Sequence, residues 1–310
     1  MTKTPYKIGV VGVGEIAKNQ HIPSINNHPD FEFAAGVSRH QKTEGVDNFT
    51  SIEDMISARP DIDVVSLCVP PQVRYGIAWA ALEAGKHVML EKPPGISVVE
   101  VENLVRFAEQ KGVTLFATWH SRYAAAVETA KTWLSDKKIT GVKIIWKEDV
   151  KHWHPGQTWV WQAGGMGVFD PGINALSILT HIMNVPFHLQ EADLFFPSNC
   201  ETPIAAQLKF VGNDGLSLSA DFDWRQTGTQ HWDIYVETTD GHVHLANGGN
   251  DMLIDGTPHF NAENTEYNNI YARFFELLKQ GQSDIDLMPL KHVADAFMLG
   301  KRSVVEAFEE

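Results

Sequence analysis

The chain has 310 residues and a mass of 34.6 kDa, a length that favours two domains over one. Its hydrophobic content of 43% and charged content of 21% are ordinary for a globular protein, and no apolar run is long enough to span a bilayer. The formal net charge of -14 argues against nucleic acid or an anionic membrane as a partner, because both select for clustered Lys and Arg.

Two cysteines, Cys68 inside an apolar run and Cys200 far from it in sequence, suit buried reduced thiols better than a disulfide framework. The first residues run directly into a strand pattern and carry no apolar segment typical of a secretion signal. We therefore expect a cytoplasmic protein.

The first predicted strand, residues 7–11, is followed at once by a glycine turn and a segment with helical apolar spacing. In such a turn Gly12 permits the tight bend, Gly14 lets the backbone approach a pyrophosphate at the helix N-terminus, and Ala17 lets helix and strand pack closely. The alternative is a purely structural turn. The cofactor-binding residues predicted here are Gly12, Gly14, Glu15 and Ile16.

The second predicted strand, residues 31–37, ends at Ser38 and Arg39, where a site specific for NAD usually carries an acid that binds the ribose 2′-hydroxyl. No acid stands there. Arg39 can form charge-assisted hydrogen bonds to a 2′-phosphate, each contributing about 1.5–3 kcal/mol, and Ser38 can donate another. The alternative is a solvated surface arginine. We expect NADP as the preferred cofactor and NAD as an accepted one, because nothing here repels NAD.

Further strands at residues 63–69, 86–90 and 113–118 alternate with helices at residues 72–84 and 97–109. This alternation predicts a doubly wound parallel sheet that binds its ligands at the carboxyl ends of the strands. The candidate residues at that edge are Pro70, Glu91, Lys92 and His120. His120 is either a hydrogen-bonded structural residue or part of the site.

The strand at residues 86–90 stops at the segment Glu91-Lys92-Pro93-Pro94. Proline fixes φ, lacks a backbone donor and disfavours helix in the residue before it. The backbone that carries Lys92 is therefore expected to be stiff and non-helical, which makes this lysine a candidate reactive group.

Strands dominate from about Gly141, and a run around Trp153 contains side chains suited to a ligand. His152 and His154 share a face if the run is extended, as paired metal ligands can. No Cys or carboxylate set accompanies them at a convincing spacing, so we expect no metal site. Trp153 better suits a sugar, because an indole offers an apolar face and its polar neighbours can bind hydroxyls. The alternative is a surface loop with a half-buried tryptophan.

A glycine-rich stretch at residues 163–167 leads into a predicted helix that extends through Ile182. Asp170 and Asn174 lie four residues apart and therefore point from one face of this helix. Asp170 is either a helix cap or, together with Asn174, a group that orients a hydroxyl-bearing substrate.

Several alternating runs between Phe187 and Ile254, with turns at residues 213–215 and 240–241, predict an open, largely antiparallel sheet. An open sheet with an apolar face needs covering, so homo-oligomerisation through it is a hypothesis. Helices are predicted at residues 266–279 and 291–308. The expected fold class is α/β, with a dinucleotide-binding Rossmann domain over residues 1–120 and a substrate-binding α/β domain over residues 121–310. The last helix is a candidate to pack back on the first domain.

The glycine turn, the Glu91-Lys92-Pro93 motif and the helix with Asp170 and Asn174 together resemble the Gfo/Idh/MocA oxidoreductase family over the full length of the chain. Within that family the chain is most similar to bacterial aldose 1-dehydrogenases that act on L-arabinose or D-galactose. The similarity to this subgroup rests on the runs at residues 69–75, 115–122, 146–150, 152–157, 164–178 and 220–225.

The resemblance implies that Lys92 lies beside substrate and nicotinamide and that Asp170 is the acid of the family's catalytic helix. The wider family usually has a histidine one turn later, where this chain has Asn174. An asparagine side chain cannot act as a base, so the resemblance leaves proton removal to Lys92 or Asp170. The residues that it implies for binding the sugar are Lys92, His120, Glu148, Trp153, His154, Asp170 and Asn174.

The implied reaction is oxidation of an aldose at C1 to the aldonolactone, with hydride transfer to NADP. Lys92 would act either as the base or as a cation that stabilises the developing alkoxide. One alternative is a dehydrogenase of the same family for another sugar or an inositol. The other is a non-catalytic regulator that binds sugar and dinucleotide, against which the presence of both Lys92 and Asp170 argues.

Overall fold

The computed structural model describes residues 4–310, apart from the side chain of Asp214. Residues 1–3, which are part of the segment considered for a secretion signal, lie outside the described residues. The chain divides into two compact units, one formed by residues up to His120 with Tyr267–Leu287 and one by Ser121–Glu266 with Met288–Glu310. No helix within residues 4–310 is long and apolar enough to cross a bilayer.

The strands in chain order are β1 (Tyr6–Val11), β2 (Phe31–Val37), β3 (Asp47–Phe49), β4 (Val64–Leu67), β5 (His87–Leu90), β6 (Leu115–Ala117), β7 (Ile139–Lys147), β8 (Phe187–Pro197), β9 (Ala205–Gly212), β10 (Ser217–Asp223), β11 (His231–Thr238), β12 (Gly241–Ala246), β13 (Asp251–Ile254), β14 (Thr257–Asn261) and β15 (Lys301–Val305). The α-helices are α1 (Ile22–Asn27), α2 (Ile52–Ala58), α3 (Pro71–Glu83), α4 (Val98–Lys111), α5 (Val127–Leu134), α6 (Val150–Trp153), α7 (Phe169–Ile182), α8 (Glu266–Gln280) and α9 (Met288–Leu299).

The sheet of the first unit has the order β3-β2-β1-β4-β5-β6 with all neighbours parallel. This is the order of a doubly wound dinucleotide-binding sheet, which confirms the fold predicted for the first domain. Local sequence sets the helix ends: the Ser97 hydroxyl accepts a hydrogen bond from the Glu100 backbone N–H (3.3 Å) before α4, and Gly112 ends that helix in the left-handed conformation.

The second sheet has the order β14-β13-β12-β11-β7-β10-β9-β8-β15. Strand β10 runs parallel to β7 and β15 runs parallel to β8, whereas the other neighbours are antiparallel. The expected open, largely antiparallel sheet is therefore confirmed. Helix α7 is almost wholly buried in this unit, as its apolar sequence predicts.

The expectation that residues 121–310 form one continuous domain is wrong for helix α8, which belongs to the first unit. Its aromatic residues explain why. Phe274 is fully buried and stacks against Phe31 and Phe116, with ring centroids 6.2 and 5.7 Å apart, and Tyr271 packs against Phe31 at 5.7 Å. Helix α8 thus belongs to the first unit, whereas the last helix is assigned to the second unit.

The last helix, predicted to extend from residue 291 to 308, ends at Leu299. It stays in the second unit, where Phe297 contacts Phe169 with ring centroids 5.4 Å apart. After Gly300 the chain becomes strand β15, because pairing with the edge of β8 satisfies its backbone groups.

Candidate active site

The glycine turn lies between β1 and a helical segment that starts at Glu15, passes through a π-helical turn (Ala17–His21) and continues as α1. Gly12 has a φ of +90°, and a Cβ there would lie 2.8 Å from backbone atoms of Cys68 and Val69, so only glycine fits. A Cβ on Gly14 would meet no atom within 4 Å. The backbone at Gly14 thus borders open space, which fits a phosphate group approaching this turn.

The residues predicted to distinguish the cofactors follow β2. The Ser38 hydroxyl accepts hydrogen bonds from the backbone N–H groups of His40 (3.4 Å) and Gln41 (3.2 Å), so its own proton remains available for donation. Arg39 is exposed and has no hydrogen bond or ion pair among the described residues. This arrangement can accept a 2′-phosphate without breaking an existing contact.

Lys92 follows β5 on a short loop whose backbone is held by a buried arginine on α3. The Arg74 guanidinium donates hydrogen bonds to the backbone carbonyls of Val69, Glu91 and Pro93. The loops after β4 and β5 are thereby tied together at the carboxyl edge of the sheet, where Pro70 precedes α3. The Lys92–Pro93 peptide bond is cis. The predicted stiffness of this segment agrees with these contacts.

Glu91 is a buried acid whose carboxylate holds the backbone of Lys92. Its carboxylate accepts hydrogen bonds from the Lys92 N–H (2.7 Å), the Tyr267 hydroxyl (2.8 Å) and the His21 ring (3.0 Å). Burial alone raises the pKa of Glu91, but the hydrogen bond and charge of His21, helped by His120 and Tyr267, hold that pKa well below its ordinary value. Glu91 was predicted at the cofactor edge, and its carboxylate binds the Lys92 backbone there.

His21 is fully buried between Glu91 and Tyr271, whose hydroxyl lies 2.8 Å from Nδ1. Burial lowers the pKa of His21, but Cys68, Tyr271 and Glu91 around the ring raise it well above its ordinary value. The two pKa shifts have opposite signs, and each favours the charged form of its group within the His21–Glu91 contact. His21, Tyr267 and Tyr271 were not predicted as site residues. The spacing of aromatic residues in α8 is the one sequence feature that indicates the two tyrosines, and no such feature indicates His21.

His120 follows β6 at the same sheet edge and is half-buried. Its ring stacks on Tyr267 with centroids 5.6 Å apart and an angle of 20° between the planes. Because Tyr267 also binds Glu91, His120 joins the group of side chains around the Lys92 loop.

In the second unit Asp170 and Asn174 lie on helix α7, one turn apart. The Asp170 side chain is 5% exposed, whereas Asn174 is half-buried. A tight turn before the helix sets this position, since the Asp170 N–H bonds to the Gly167 carbonyl (2.8 Å) and the Val168 N–H to the Pro203 carbonyl (2.8 Å). The predicted sharing of one helix face therefore follows from the observed helix.

Glu148 follows β7 and is held by two tryptophans that sequence reasoning did not select. One carboxylate oxygen accepts the indole N–H of Trp224 (3.1 Å) and the other accepts that of Trp232 (2.8 Å). The carboxylate is almost fully buried, so these two donors fix its orientation. Trp224 lies in the run at residues 220–225, and Trp232 lies among the alternating runs between Phe187 and Ile254, but neither position indicated a partner for Glu148.

His154 connects the two acids of the second unit. Its Nε2 lies 3.8 Å from a carboxylate oxygen of Glu148 and 3.8 Å from one of Asp170, and its Nδ1 lies 3.3 Å from the side-chain oxygen of Gln157. A distance of 3.8 Å is too long for a direct hydrogen bond, but a hydroxyl group can contact both sides of such a gap. The three side chains form a polar group suited to hydroxyls.

The run from Asp149 to His154 is not extended, which overturns the picture of His152 and His154 on one face of a strand. Asp149 caps helix α6 by accepting a hydrogen bond from the Lys151 N–H (2.9 Å), because an aspartate at this position satisfies a free helix donor. Trp153 is 46% exposed and packs edge-on against Trp232 at 5.5 Å. No group of three or more potential metal ligands is present within residues 4–310.

These observations define a class: two-unit oxidoreductases with a dinucleotide-binding sheet, a lysine fixed at its edge and a second unit rich in acids and tryptophans. The chain belongs to the Gfo/Idh/MocA oxidoreductase family. The family model described as an oxidoreductase family with an NAD-binding Rossmann fold matches residues 6–118.

Several relatives match this chain over nearly its full length and give a more specific comparison than the family model. The chain is 40% identical over 304 residues to galactose 1-dehydrogenase of Pseudomonas fluorescens, covering 98% of this chain and 99% of that protein. The crystal structure of a D-galactose-1-dehydrogenase protein from Rhizobium etli matches with a TM-score of 0.96 and 54% identity, covering 100% and 99% of the two chains. KijD10, a 3-ketoreductase from Actinomadura kijaniata solved with NADP and TDP-benzene, shares the fold at 16% identity, with a TM-score of 0.84 and coverage of 97% and 100%.

Proposed function

We propose that the protein is an NAD(P)-dependent aldose 1-dehydrogenase that oxidises D-galactose at C1 to the aldonolactone. The observation that carries the proposal is the full-length similarity to two proteins described as galactose 1-dehydrogenases, at 40% and 54% identity. L-Arabinose is the second substrate of the proposal. Its pyranose ring has the configuration of galactopyranose and lacks only the exocyclic hydroxymethyl group.

The cofactor part of the proposal is NADP as the preferred dinucleotide, with NAD also accepted. A bound dinucleotide supplies the hydride acceptor. Support comes from the open space at Gly14, from the exposed residues Glu15 and Ile16 that follow it at the helix start, and from the exposed Arg39 next in sequence to Ser38, whose hydroxyl proton is available. A guanidinium can bind a 2′-phosphate through two hydrogen bonds, so it favours NADP.

Oxidation at C1 removes a hydride from carbon and a proton from the C1 hydroxyl, and a carbonyl forms. We assign the proton to Lys92 or Asp170. Lys92 is held by a backbone that Arg74 and Glu91 fix, and Asp170 is buried next to His154. Asn174 has no basic group, so its proposed role is to hold a ring hydroxyl.

The proposed sugar-binding residues of the second unit surround His154. Glu148 and Asp170 accept hydrogen bonds from ring hydroxyls, and the His154 ring can donate or accept one. Trp153 offers an exposed indole face for the apolar side of the pyranose. In the first unit, His120 beside the Lys92 loop is a further proposed sugar-binding residue.

The test of the assignment is steady-state kinetics with D-galactose for Lys92→Met, Asp170→Ala and Asn174→Ala. Removal of the base should lower kcat by at least about a hundredfold, the lower end of general base catalysis. Asn174→Ala should mainly raise the KM for galactose. Turnover that survives both Lys92→Met and Asp170→Ala within about tenfold contradicts the assignment of the base to this pair.

Two further parts of the proposal concern assembly and location. We propose that the open second sheet mediates self-association, which light scattering of the purified protein tests directly. We also propose a reducing, cytoplasmic location, which is supported by the free thiols of Cys68 and Cys200.

A further inference from the structure

The segment that follows β15, residues 306–310, contacts the part of the second unit that carries Trp153 and His154. We call residues 306–310 the strap and residues 150–161 the site loop. The strap is anchored at Asn199, whose side chain donates a hydrogen bond to the Phe308 carbonyl (2.9 Å) and accepts one from the Phe308 N–H (2.8 Å). This reciprocal pair fixes the backbone of Phe308.

The side chains of the strap reach the site loop at three places. The Phe308 ring packs on Trp161 with centroids 4.6 Å apart, and the ammonium of Lys151 lies 5.9 Å from the centre of the same ring. The Glu310 carboxylate accepts a hydrogen bond from the Gly156 N–H. The contacts thus involve the start, the middle and the end of the site loop.

A chain of aromatic contacts continues from the strap to the acids of the site. Trp161 packs edge-on against Trp224, with centroids 5.2 Å apart. Trp224 in turn donates its indole N–H to Glu148 and lies 5.1 Å from the His154 ring. Phe308 is therefore separated from Glu148 and His154 by two indole rings.

We propose that Phe308 is a positioning residue for the sugar site: it holds Trp161 and the site loop so that Trp153 and His154 keep the arrangement that binds the sugar. The proposal rests on the proposed function for the meaning of that site, and the strap contacts lie wholly within the second unit. Loss of the Phe308 ring should loosen the site loop and weaken sugar binding, while the glycine turn that serves the dinucleotide is unaffected.

The experiment compares the full-length protein with Phe308→Ala, Phe308→Tyr and Glu309→Ala. Glu309 is exposed and has no hydrogen bond or ion pair among the described residues, so its variant is the matched control. Two quantities are measured: the KM values for galactose and dinucleotide together with kcat, and the amide hydrogen exchange of residues 150–161. Exchange reports on the loop whether or not the protein turns over a sugar.

For Phe308→Ala we expect the galactose KM to rise about three- to tenfold, which corresponds to the interaction energy of one aromatic pair. We also expect faster amide hydrogen exchange in the site loop. The kcat and the dinucleotide KM should stay within about twofold of wild type on this scale. Phe308→Tyr keeps the ring and should restore both readouts, and Glu309→Ala should match wild type.

Unchanged exchange of the site loop in Phe308→Ala overturns the proposal, and so does an equal rise in both KM values, which indicates general destabilisation. If Phe308→Ala does not fold, Asn199→Ala removes the backbone anchor and carries the same expectations. If the wild-type protein oxidises no aldose, the proposed function fails, while the exchange of the site loop still decides the role of the strap.

Discussion

Replacement of Glu148 by glutamine tests the buried acid of the second unit most sharply. The variant keeps the shape of the side chain but offers one oxygen and one NH2 group in place of two oxygens. Only one of the indole donors, Trp224 at 3.1 Å or Trp232 at 2.8 Å, can keep its acceptor. The other indole N–H then faces an amide N–H, and two donors cannot bond to each other.

The expected loss of stability follows from these two hydrogen bonds. A hydrogen bond to a charged group contributes about 1.5–3 kcal/mol, and a buried donor without an acceptor costs about 1–3 kcal/mol. Trp224 is 0% exposed, so water cannot replace the acceptor there. Part of the loss is offset because the neutral amide needs no buried charge. We expect Glu148→Gln to lower the free energy of unfolding by about 2–3 kcal/mol.

The assay is urea unfolding followed by tryptophan fluorescence, with the galactose KM measured on the same preparations. Glu237→Gln is the control, because Glu237 is exposed on β11 and has no side-chain partner among the described residues. A free energy of unfolding for Glu148→Gln within about 0.5 kcal/mol of wild type, the size of an ordinary surface substitution, would show that the two indole hydrogen bonds do not stabilise the fold as expected.

The remaining predictions concern the first unit. Arg39→Ala should raise the KM for NADP more than tenfold and leave the KM for NAD within about twofold of wild type. An equal rise in both KM values would contradict the assignment of Arg39 to the 2′-phosphate. Arg74→Lys should lower kcat about tenfold or more, since one ammonium cannot reach all three carbonyls that the guanidinium binds; wild-type kcat would show that the Lys92 loop does not need it. The pKa of His21 lies above its ordinary value and that of Glu91 below, so the stabilisation by the pair is complete between about pH 4.3 and 6.5. It decreases as the pH rises above about 6.5 towards the folded pKa of His21, and as the pH falls below about 4.3 towards that of Glu91. Between pH 6.5 and about 9, the urea concentration at the unfolding midpoint should therefore decrease less for His21→Gln than for wild type. The same dependence of this midpoint on pH in both proteins would contradict a stabilising charged contact between His21 and Glu91.

Local patterns were sufficient for five of the six strands in the sheet of the first unit, all except β3. Glycines after a strand, alternating strands and helices, and prolines after Lys92 each depend on neighbours close in sequence, and the observed parallel sheet agrees with them. Tertiary pairing was not accessible in this way. Helix α8 joins the first unit because its aromatic face fits Phe31 and Phe116, which are more than 150 residues away in the chain, and no local pattern identifies such partners.

The second unit shows the same limit at the level of single side chains. The i, i+4 spacing was enough to place Asp170 and Asn174 on one face of α7. The two indoles that hold Glu148 and the proximity of His154 to both acids depend on the pairing of β7, β10 and β11, which brings distant positions together. The strand β15 was missed because its stability comes from the edge of β8 and not from its own sequence.

We propose that this protein oxidises an aldose at C1. The most direct test of this proposal is an initial-rate panel with D-galactose, L-arabinose, D-glucose and myo-inositol, each with NADP and NAD, followed by the absorbance of reduced dinucleotide. We expect reduction with D-galactose and L-arabinose and a higher kcat/KM with NADP than with NAD. Absence of dinucleotide reduction with every aldose would contradict the proposal.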